Sequence, residues 1–166
     1  LDSRGSIVVT GGFRGSVDFG GGALTSAGGL DCFVARYQTA DGAHVWSKRF
    51  GGPGADSGGA VTVDGAGDVY VTGQFTAPVD FGGGPRAAIG EFDLFVIKLA
   101  ATNGSHVWSR SYGGVGGYPG PYYMVGDSAG SVFIAGRFQS AVSFGGGALT
   151  SAGSFDSFVA RYNTSD

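Results

Sequence analysis

A repeat of 62 to 63 residues constrains the fold of this chain more than any other feature. The segment FGGGALTSAG begins at Phe19 and returns unchanged at Phe144, and a looser copy, FGGGPRAAIG, begins at Phe81. The flanking segments repeat in the same register, so that DCFVARY from Asp31 aligns with DLFVIKL from Asp93. Internal repeats at a fixed spacing are typical of proteins built from stacked supersecondary units.

Each repeat predicts four β-strands and no helix. In the middle copy we expect strands at residues 59–63, 68–75, 93–99 and 106–112, which we call strands a, b, c and d. These runs are rich in Val, Ile, Phe, Tyr and Thr, and glycine clusters separate them. No stretch has the apolar periodicity of a capped helix.

The turn residues predict that the repeat has two different ends. Residues 64–67, DGAG, and the pair at 103–104, NG, favour tight hairpin turns between strands a and b and between strands c and d. The b–c connection, residues 76–92, and the d–a connection, residues 113–121, are longer and must lie at the opposite end. Loops on a rigid scaffold often carry function, so we expect binding at this long-loop end.

A single sheet of this kind cannot bury both of its faces, which predicts that the sheets stack radially as blades of a β-propeller. The expected fold is therefore all-β, with blades of four-stranded antiparallel sheets, about two and a half blades and an incomplete ring. The repeats are residues 1–63, 64–126 and 127–166. Ten strands are too few for a closed ring, so either a longer chain or several copies would complete it. Trp46 and Trp108 recur in strand d and are expected to wedge between blades.

Composition limits the class of partner. The chain has 166 residues, a formal net charge of −3 and 35 glycines. Nucleic acids and anionic membranes attract basic surfaces, so neither is expected as a partner. No apolar run reaches the length of a membrane span. The single cysteine, Cys32, cannot form an internal disulfide. The low lysine content and the many Ser, Thr and Gly residues favour a secreted protein.

The middle copy carries a specific set of motifs. They are D-x-x-G-x-x-Y-V-T-G from Asp64, D-x-F-V-x-K from Asp93, G-x-x-x-W from Gly104 and Y-G-G from Tyr112. This pattern resembles the bacterial SBBP (seven-bladed β-propeller) repeat family. The resemblance implies a secreted or surface-anchored bacterial protein without catalytic residues. Residues 113–125, GGVGGYPGPYYMV, depart from the pattern, and their prolines and aromatics predict an irregular third strand a or loop.

Three recurrent carboxylates are the candidate ligand-binding residues. They precede strand c at the long-loop end of each copy: Asp31, Asp93 and Asp156. A ring of carboxylates could bind Ca²⁺ or the hydroxyls of a sugar. Alternatively, each Asp caps its loop by accepting backbone N–H groups. We expect no other cofactor. The D-x-x-G segments that begin at Asp2, Asp64 and Asp127 lack the alternating oxygen ligands of a calcium loop, so turn chemistry explains them.

The other recurrent residues have structural interpretations. His44 and His106 lack the additional ligands that a zinc site needs. Arg36, Lys98 and Arg161 recur in strand c, where we expect them to lie along a blade face or to pair with the recurrent Asp. The triple glycines lack the following helix and the Lys-Ser/Thr of a phosphate loop.

These observations predict an extracellular, non-enzymatic module for binding, adhesion or structural display, located outside a bacterial cell or on its surface. Its partner would be a protein or a glycan. Two alternatives remain open: a lectin, with glycan sites in the long loops, and a purely structural repeat of a filament or a large surface protein. Repetition favours multivalent binding, because near-identical blades present the same loop several times.

Overall fold

The computed structural model describes residues 5–127 and 130–163, and within these ranges the regular structure is entirely β. The strands are β1 (Ser6–Phe13), β2 (Ser16–Asp18), β3 (Ala23–Thr25), β4 (Asp31–Gln38), β5 (His44–Phe50), β6 (Ser57–Val63), β7 (Val69–Phe75), β8 (Val79–Asp80), β9 (Pro85–Arg86), β10 (Asp93–Leu99), β11 (His106–Tyr112), β12 (Tyr118–Gly126), β13 (Ser131–Gln139), β14 (Ala141–Ser143), β15 (Ala148–Thr150) and β16 (Asp156–Asn163).

The ten long strands form three antiparallel sheets in the predicted order. Blade 1 is β1-β4-β5, which supplies strands b, c and d. Blade 2 is β6-β7-β10-β11, a complete set of strands a to d, and blade 3 is β12-β13-β16, which supplies strands a, b and c. The sheets do not close into a barrel, and their arrangement is that of partial propeller blades. The all-β fold class is therefore confirmed.

The predicted strand bounds of blade 2 hold to within two residues. Strands c and d occupy the expected positions, strand a begins at Ser57, two residues early, and strand b begins at Val69. The irregular segment of the third copy forms a nine-residue strand, β12, with a register shift between Pro121 and Tyr123. A proline cannot donate to a ladder, and β12 accommodates its prolines as an edge strand with a bulge.

The long b–c connections are not the open loops that the sequence led us to expect. Each contains a short hairpin: β2–β3 in blade 1, β8–β9 in blade 2 and β14–β15 in blade 3. The triple glycines form the hairpin tips, and in blades 1 and 2 the carboxylates of Asp18 and Asp80 hold each tip by accepting two backbone N–H groups at 2.7 and 3.0 Å. Loop chemistry therefore explains the glycines, as predicted.

Each hairpin folds over one face of its own blade, which we call the front face. In blade 2 the ring of Phe81 lies over that of Phe95, with centroids 4.8 Å apart, and meets Phe75 edge-on. The equivalent hairpin and strand c rings lie 4.3 Å apart in blade 1 and 4.1 Å apart in blade 3. A Cβ at Gly73 would lie 2.7 Å from the Phe95 ring, so strand b needs a glycine there. The single phenylalanine of the motif FGGG thus packs against one phenylalanine of strand b and one of strand c.

The core lies between the blades. One cluster joins the back face of blade 1, including Val34 and Trp46, to the front face of blade 2, including Val71 and Phe81. A second cluster joins the back face of blade 2 to the front face of blade 3 in the same way. The sheets therefore bury their faces against each other, as the repeat predicted. The part of the chain described by the structure contains no helix with the length and apolar character needed to pass through a membrane.

Candidate functional site

The three recurrent carboxylates begin strand c at the long-loop end, where the sequence placed them. Asp31 and Asp93 are fully buried, and Asp156 is half-buried. Each accepts a hydrogen bond from the backbone N–H four residues before it, which is that of Ala27 at 3.0 Å, Ile89 at 2.7 Å and Ala152 at 2.9 Å. These contacts are the loop caps proposed as the alternative to ligand binding.

The carboxylates of the first two blades make further contacts, although Oδ1 of Asp31 is buried without a hydrogen-bond partner among the described residues. Asp31 forms an ion pair with Arg49, and Asp93 accepts a second backbone bond from Gly90 at 3.0 Å. A Cβ at Gly51 or Gly113 would lie within 2.3 Å of a carboxylate atom, so backbone closes over both groups. The described residues contain no group of three or more metal-ligating side chains. Ligand binding by these Asp residues stays a prediction, while their geometry matches the capping role.

A second feature of the long-loop end was missed by the sequence reasoning. Four aromatic rings and one arginine meet where blades 2 and 3 join, and we call them the aromatic cluster: Phe92, Tyr118, Tyr122, Phe155 and Arg137. Ring centroids lie 4.8 Å apart for Phe92 and Tyr118, and 5.9 Å apart for Tyr118 and Phe155. The guanidinium of Arg137 lies 4.2 Å from the centroid of Phe155 and 5.6 Å from that of Tyr122, which are cation–π distances.

The aromatic cluster is specific to this junction. At the junction of blades 1 and 2, Leu30 stands at the position of Phe92, and Asp56 stands at that of Tyr118. Asp56 is a buried loop cap that accepts a hydrogen bond from the N–H of Gly52 at 2.8 Å, and burial raises the pKa of its carboxyl. The only hint of the cluster in the sequence was the departure of residues 113–125 from the repeat.

The cluster is open to solvent. Tyr122 is 48% exposed and Phe155 is 39% exposed, and Arg137 is exposed between them. The bulge in β12 puts Tyr122 outside the ladder register. An exposed set of aromatic faces beside a guanidinium can stack on a ligand and donate hydrogen bonds to it.

The opposite, tight-turn end carries structural polar contacts. In blade 2 the ammonium of Lys98 lies 3.4 Å from Asp64 and 3.1 Å from Asp68, so the predicted pairing of strand c with a recurrent Asp is observed there. Burial alone would lower the pKa of Lys98, but its bonds to Tyr70 and Asp68 outweigh burial and raise it. Asp64 also accepts the N–H of Ala66 at 3.0 Å, which is turn chemistry.

The same turn chemistry occurs in the third copy, where the carboxylate of Asp127 accepts the N–H of Ser131 at 2.8 Å. Asp2, the equivalent residue of the first copy, lies outside the described residues. Arg161 donates to the hydroxyl of Ser131 at 2.9 Å and lies over the ring of Phe133. It therefore lies along the blade face, which is the other predicted arrangement.

Arg36 and Trp46 tie blade 1 to blade 2. Arg36 donates to the carbonyls of Gly67 and Ala101, each at 2.9 Å, and the indole N–H of Trp46 donates to Ala101 at 3.1 Å. A Cβ at Gly104 would lie 2.7 Å from the Trp46 ring, so the ring sits directly on the c–d turn. Trp46 is the predicted wedge between blades.

Trp108 lies at the same place between blades 2 and 3, half-buried beside the ring of Tyr70. Its indole nitrogen has no acceptor within the described residues. The position equivalent to Ala101, which accepts from Trp46 in the first junction, is 164 and lies outside them.

The two histidines do not share a site. His44 and His106 each pack on the glycine tip of the hairpin in their own blade, with ring atoms 2.3 and 2.5 Å from a Cβ built at Gly21 and Gly83. The Nε2 atom of each is buried without a hydrogen-bond partner in the described structure. Burial lowers the pKa of His106 below its usual value, and Arg86 adds to this while Asp80 opposes it. Both rings therefore hold hairpins in place.

The fold and these contacts define the class of protein, which is a set of β-propeller blades. Its recurrent polar residues bond to loops, to turns and to neighbouring blades. The sequence model of the SBBP family, described as a beta-propeller repeat, matches residues 45–74, which span strand d of blade 1 and strands a and b of blade 2. The chain therefore carries an SBBP beta-propeller repeat, and the resemblance expected from the sequence is confirmed in this stretch. No curated protein matches the chain.

Proposed function

We propose that this chain is a non-enzymatic propeller module of a secreted or surface-exposed bacterial protein and that it binds a partner through the aromatic cluster. The observation that carries this proposal is the exposed group of Tyr122, Phe155 and Arg137, in which Tyr122 comes from the segment that departs from the repeat. Tyrosine and arginine dominate binding hot spots, because they combine large contact area with hydrogen-bond donors.

The recurrent polar residues support a non-enzymatic role. An active site needs titratable groups that are free to meet a substrate. Here the carboxylates of Asp31 and Asp93 hold loops, and that of Asp64 holds a turn and Lys98. Each of these side chains has a structural partner that accounts for its recurrence in the repeat.

The partner is a protein or a glycan. A net charge of −3 disfavours nucleic acid and anionic lipid. The aromatic cluster is also compatible with a glycan, because the apolar face of a sugar ring can stack on an aromatic ring while a guanidinium donates to its hydroxyls. A lectin is therefore the second candidate, with its site at the aromatic cluster in addition to the predicted Asp31, Asp93 and Asp156.

The test is binding of the full chain to a glycan array and to an array of cell-surface proteins, with Tyr122→Ala and Phe155→Ala compared with Tyr123→Ala. Tyr123 is a neighbouring exposed tyrosine outside the cluster, so it is a matched control. We expect the two cluster variants, but not the control, to lose at least about tenfold in affinity, the cost of truncating a hot spot. Equal binding by all three variants would contradict the site.

Two further outcomes separate the alternatives. Signal on proteins but on no sugar would remove the lectin. No signal on either array, together with regular arrays of the native protein by electron microscopy, would favour the purely structural repeat. Protease treatment of intact cells tests the location, because a protease added outside cleaves proteins on the cell surface but cannot reach those inside.

A further inference from the structure

The turn between β10 and β11, which is the c–d turn of blade 2, contains the pair Asn103-Gly104. In such a pair the backbone nitrogen of the glycine can attack Cγ of the asparagine side chain, since glycine has no Cβ that would obstruct the approach. A bond forms between this nitrogen and Cγ, and Nδ2 leaves as ammonia with the amide proton of the glycine. Water, the only co-reactant, then opens the resulting succinimide at one of its two carbonyls and gives aspartate or isoaspartate.

The folded turn engages both reacting groups in hydrogen bonds. The N–H of Gly104 donates to the carbonyl of Ala100 at 2.9 Å, and Oδ1 of Asn103 accepts the N–H of Ser105 at 2.9 Å. Asn103 is exposed to water, whereas Gly104 is buried, with a φ of +66° and the ring of Trp46 directly over it. The attacking nitrogen must therefore leave its bond to Ala100, and the turn must move beneath the ring, before the reaction can begin.

Blade 1 fixes the same turn from across the junction. The carbonyl of Ala101 accepts the indole N–H of Trp46 at 3.1 Å and the guanidinium of Arg36 at 2.9 Å, and both donors belong to blade 1. Within blade 2, the N–H of Ala101 donates to the carboxylate of Asp68 at 3.0 Å. The conformation of the turn thus depends on contact between the two blades.

We propose that Asn103 is a modification site at which succinimide formation and deamidation follow the opening of the junction between blades 1 and 2. While the junction is closed, the bond from Gly104 to Ala100 and the ring of Trp46 hold the attacking nitrogen in the turn. When the junction opens, the turn loses the ring and its two bonds at Ala101, and the pair gains the freedom that the reaction needs. The extent of deamidation therefore measures how often the junction has opened.

Blade 1 shows how the aspartate product fits the turn. The equivalent pair is Asp41-Gly42, in which Oδ1 of Asp41 accepts the N–H of Ala43 at 2.9 Å and Gly42 donates to Gln38 at 3.0 Å. These bonds match those of the Asn103 turn, so an aspartate at position 103 keeps the turn intact.

Isoaspartate has the opposite effect. It adds a carbon to the main chain between positions 103 and 104, where a Cβ built on Gly104 already lies 2.7 Å from the ring of Trp46. The longer turn cannot keep both its hydrogen bonds and its place beneath the ring. This product therefore weakens the junction.

Peptide mass spectrometry of the full chain, incubated at mildly alkaline pH, tests the proposal. We expect Asn103 to deamidate at least about 100-fold more slowly in the folded chain than in the same chain unfolded in urea, because opening must precede the reaction. Trp46→Ala should speed deamidation of the folded chain by at least about tenfold, and Trp108→Ala, which removes the equivalent ring from the second junction, is the matched control and should change it little. Circular dichroism checks that each variant remains folded.

Arg36→Gln is a second variant, which removes a donor to Ala101 but leaves the apolar contacts of the junction, and it should speed deamidation by about fivefold. Equal rates in the folded and unfolded chains, no acceleration by either substitution in blade 1, or equal acceleration by Trp108→Ala would each overturn the proposal.

Urea denaturation tests the two products. Asn103→Asp should unfold at the same urea concentration as the wild type, because Asp41 already occupies the equivalent turn. Chains deamidated in urea, refolded and separated by chromatography give the isoaspartate form, which should unfold at a lower urea concentration than Asn103→Asp. A destabilised Asn103→Asp, or an isoaspartate form as stable as it, would contradict the expected fit of the products.

Discussion

The carboxylate that begins strand c is a buried cap in blades 1 and 2 and a partly exposed cap in blade 3. At the scale of a single residue this difference sets how much each Asp contributes to stability. A buried N–H that loses its acceptor costs about 1–3 kcal/mol, whereas an N–H near the surface finds water instead. The three equivalent Asp residues therefore allow the cost of losing the cap to be compared at buried and half-buried positions within one chain.

We therefore expect Asp93→Ala to lower the free energy of unfolding by about 2–4 kcal/mol, because it leaves the N–H groups of Ile89 and Gly90 without an acceptor. Asp156→Ala removes one cap at a half-buried position and should cost about 1 kcal/mol. Urea denaturation of both variants and the wild type measures the difference. Equal losses would contradict burial as the cause.

His106 gives a dependence on pH. Because burial lowers its pKa in the folded chain, the unfolded chain takes up the proton first as the pH falls. The folded state is therefore fully stable above the unfolded pKa of about 6.5 and loses stability as the pH drops from there towards the lower folded pKa. His106→Gln should reduce the fall in melting temperature between about pH 7 and pH 5. His44→Gln, made in parallel, reports the general effect of losing a ring beside a hairpin tip. The prediction would be refuted if the melting temperatures of wild type and His106→Gln depended on pH in the same way.

The hairpin within the b–c connection is the element that distinguishes these blades from plain four-stranded sheets. Its phenylalanine fills the junction between a blade and the one before it in blades 2 and 3. In blade 1 the same ring lies on an open face. The contribution of this element to stability therefore depends on its position in the row of blades.

Phe81→Ala should lower the free energy of unfolding by about 3–5 kcal/mol, because it leaves a cavity between two blades. Phe19→Ala removes the equivalent ring from a half-buried site and should cost less than half as much. Chemical denaturation of the two variants is the measurement. If Phe19→Ala costs as much as Phe81→Ala, then stacking within a blade, on Phe33 or Phe95, stabilises the hairpin more than the junction does.

The regular strands could be predicted from the sequence because alternation, turn residues and the repeat all gave the same boundaries. Strand d at His106–Tyr112 was predicted to the residue. The short hairpins were missed because runs of two or three residues beside a triple glycine have the composition of a loop; Val79–Asp80 alone carries no strand signal. The aromatic cluster was missed because its members lie far apart in sequence, and only the pairing of β12 with β13 brings Tyr122 to Arg137.

At the scale of the whole molecule, the two clusters of buried apolar side chains each span a junction between blades. Cys32 reports on the first junction, because it lies on the back face of blade 1 within that core. Burial raises the pKa of its thiol to about 12, so the reactive thiolate is absent at neutral pH while the junction is closed. Alkylation of Cys32 therefore measures the opening of blade 1 from blade 2.

Trp46→Ala should speed this alkylation by at least about tenfold, because it removes the ring that fills the junction and its bond to Ala101. Trp108→Ala affects the second junction and is the matched control, with little change expected at Cys32. Labelling with iodoacetamide, followed by mass spectrometry, gives both rates. Equal acceleration by the two substitutions would mean that the blades open together.

The hairpin whose phenylalanine fills a junction belongs to the blade on the C-terminal side of that junction. Each repeat therefore carries the side chain that packs against the preceding blade. Adding or deleting one whole unit of the gene would leave every remaining blade beside a neighbour that carries this hairpin. Recombination can therefore change the number of blades while each junction keeps its phenylalanine, and only contacts particular to one junction, such as that of Tyr118 with Phe92, would be lost.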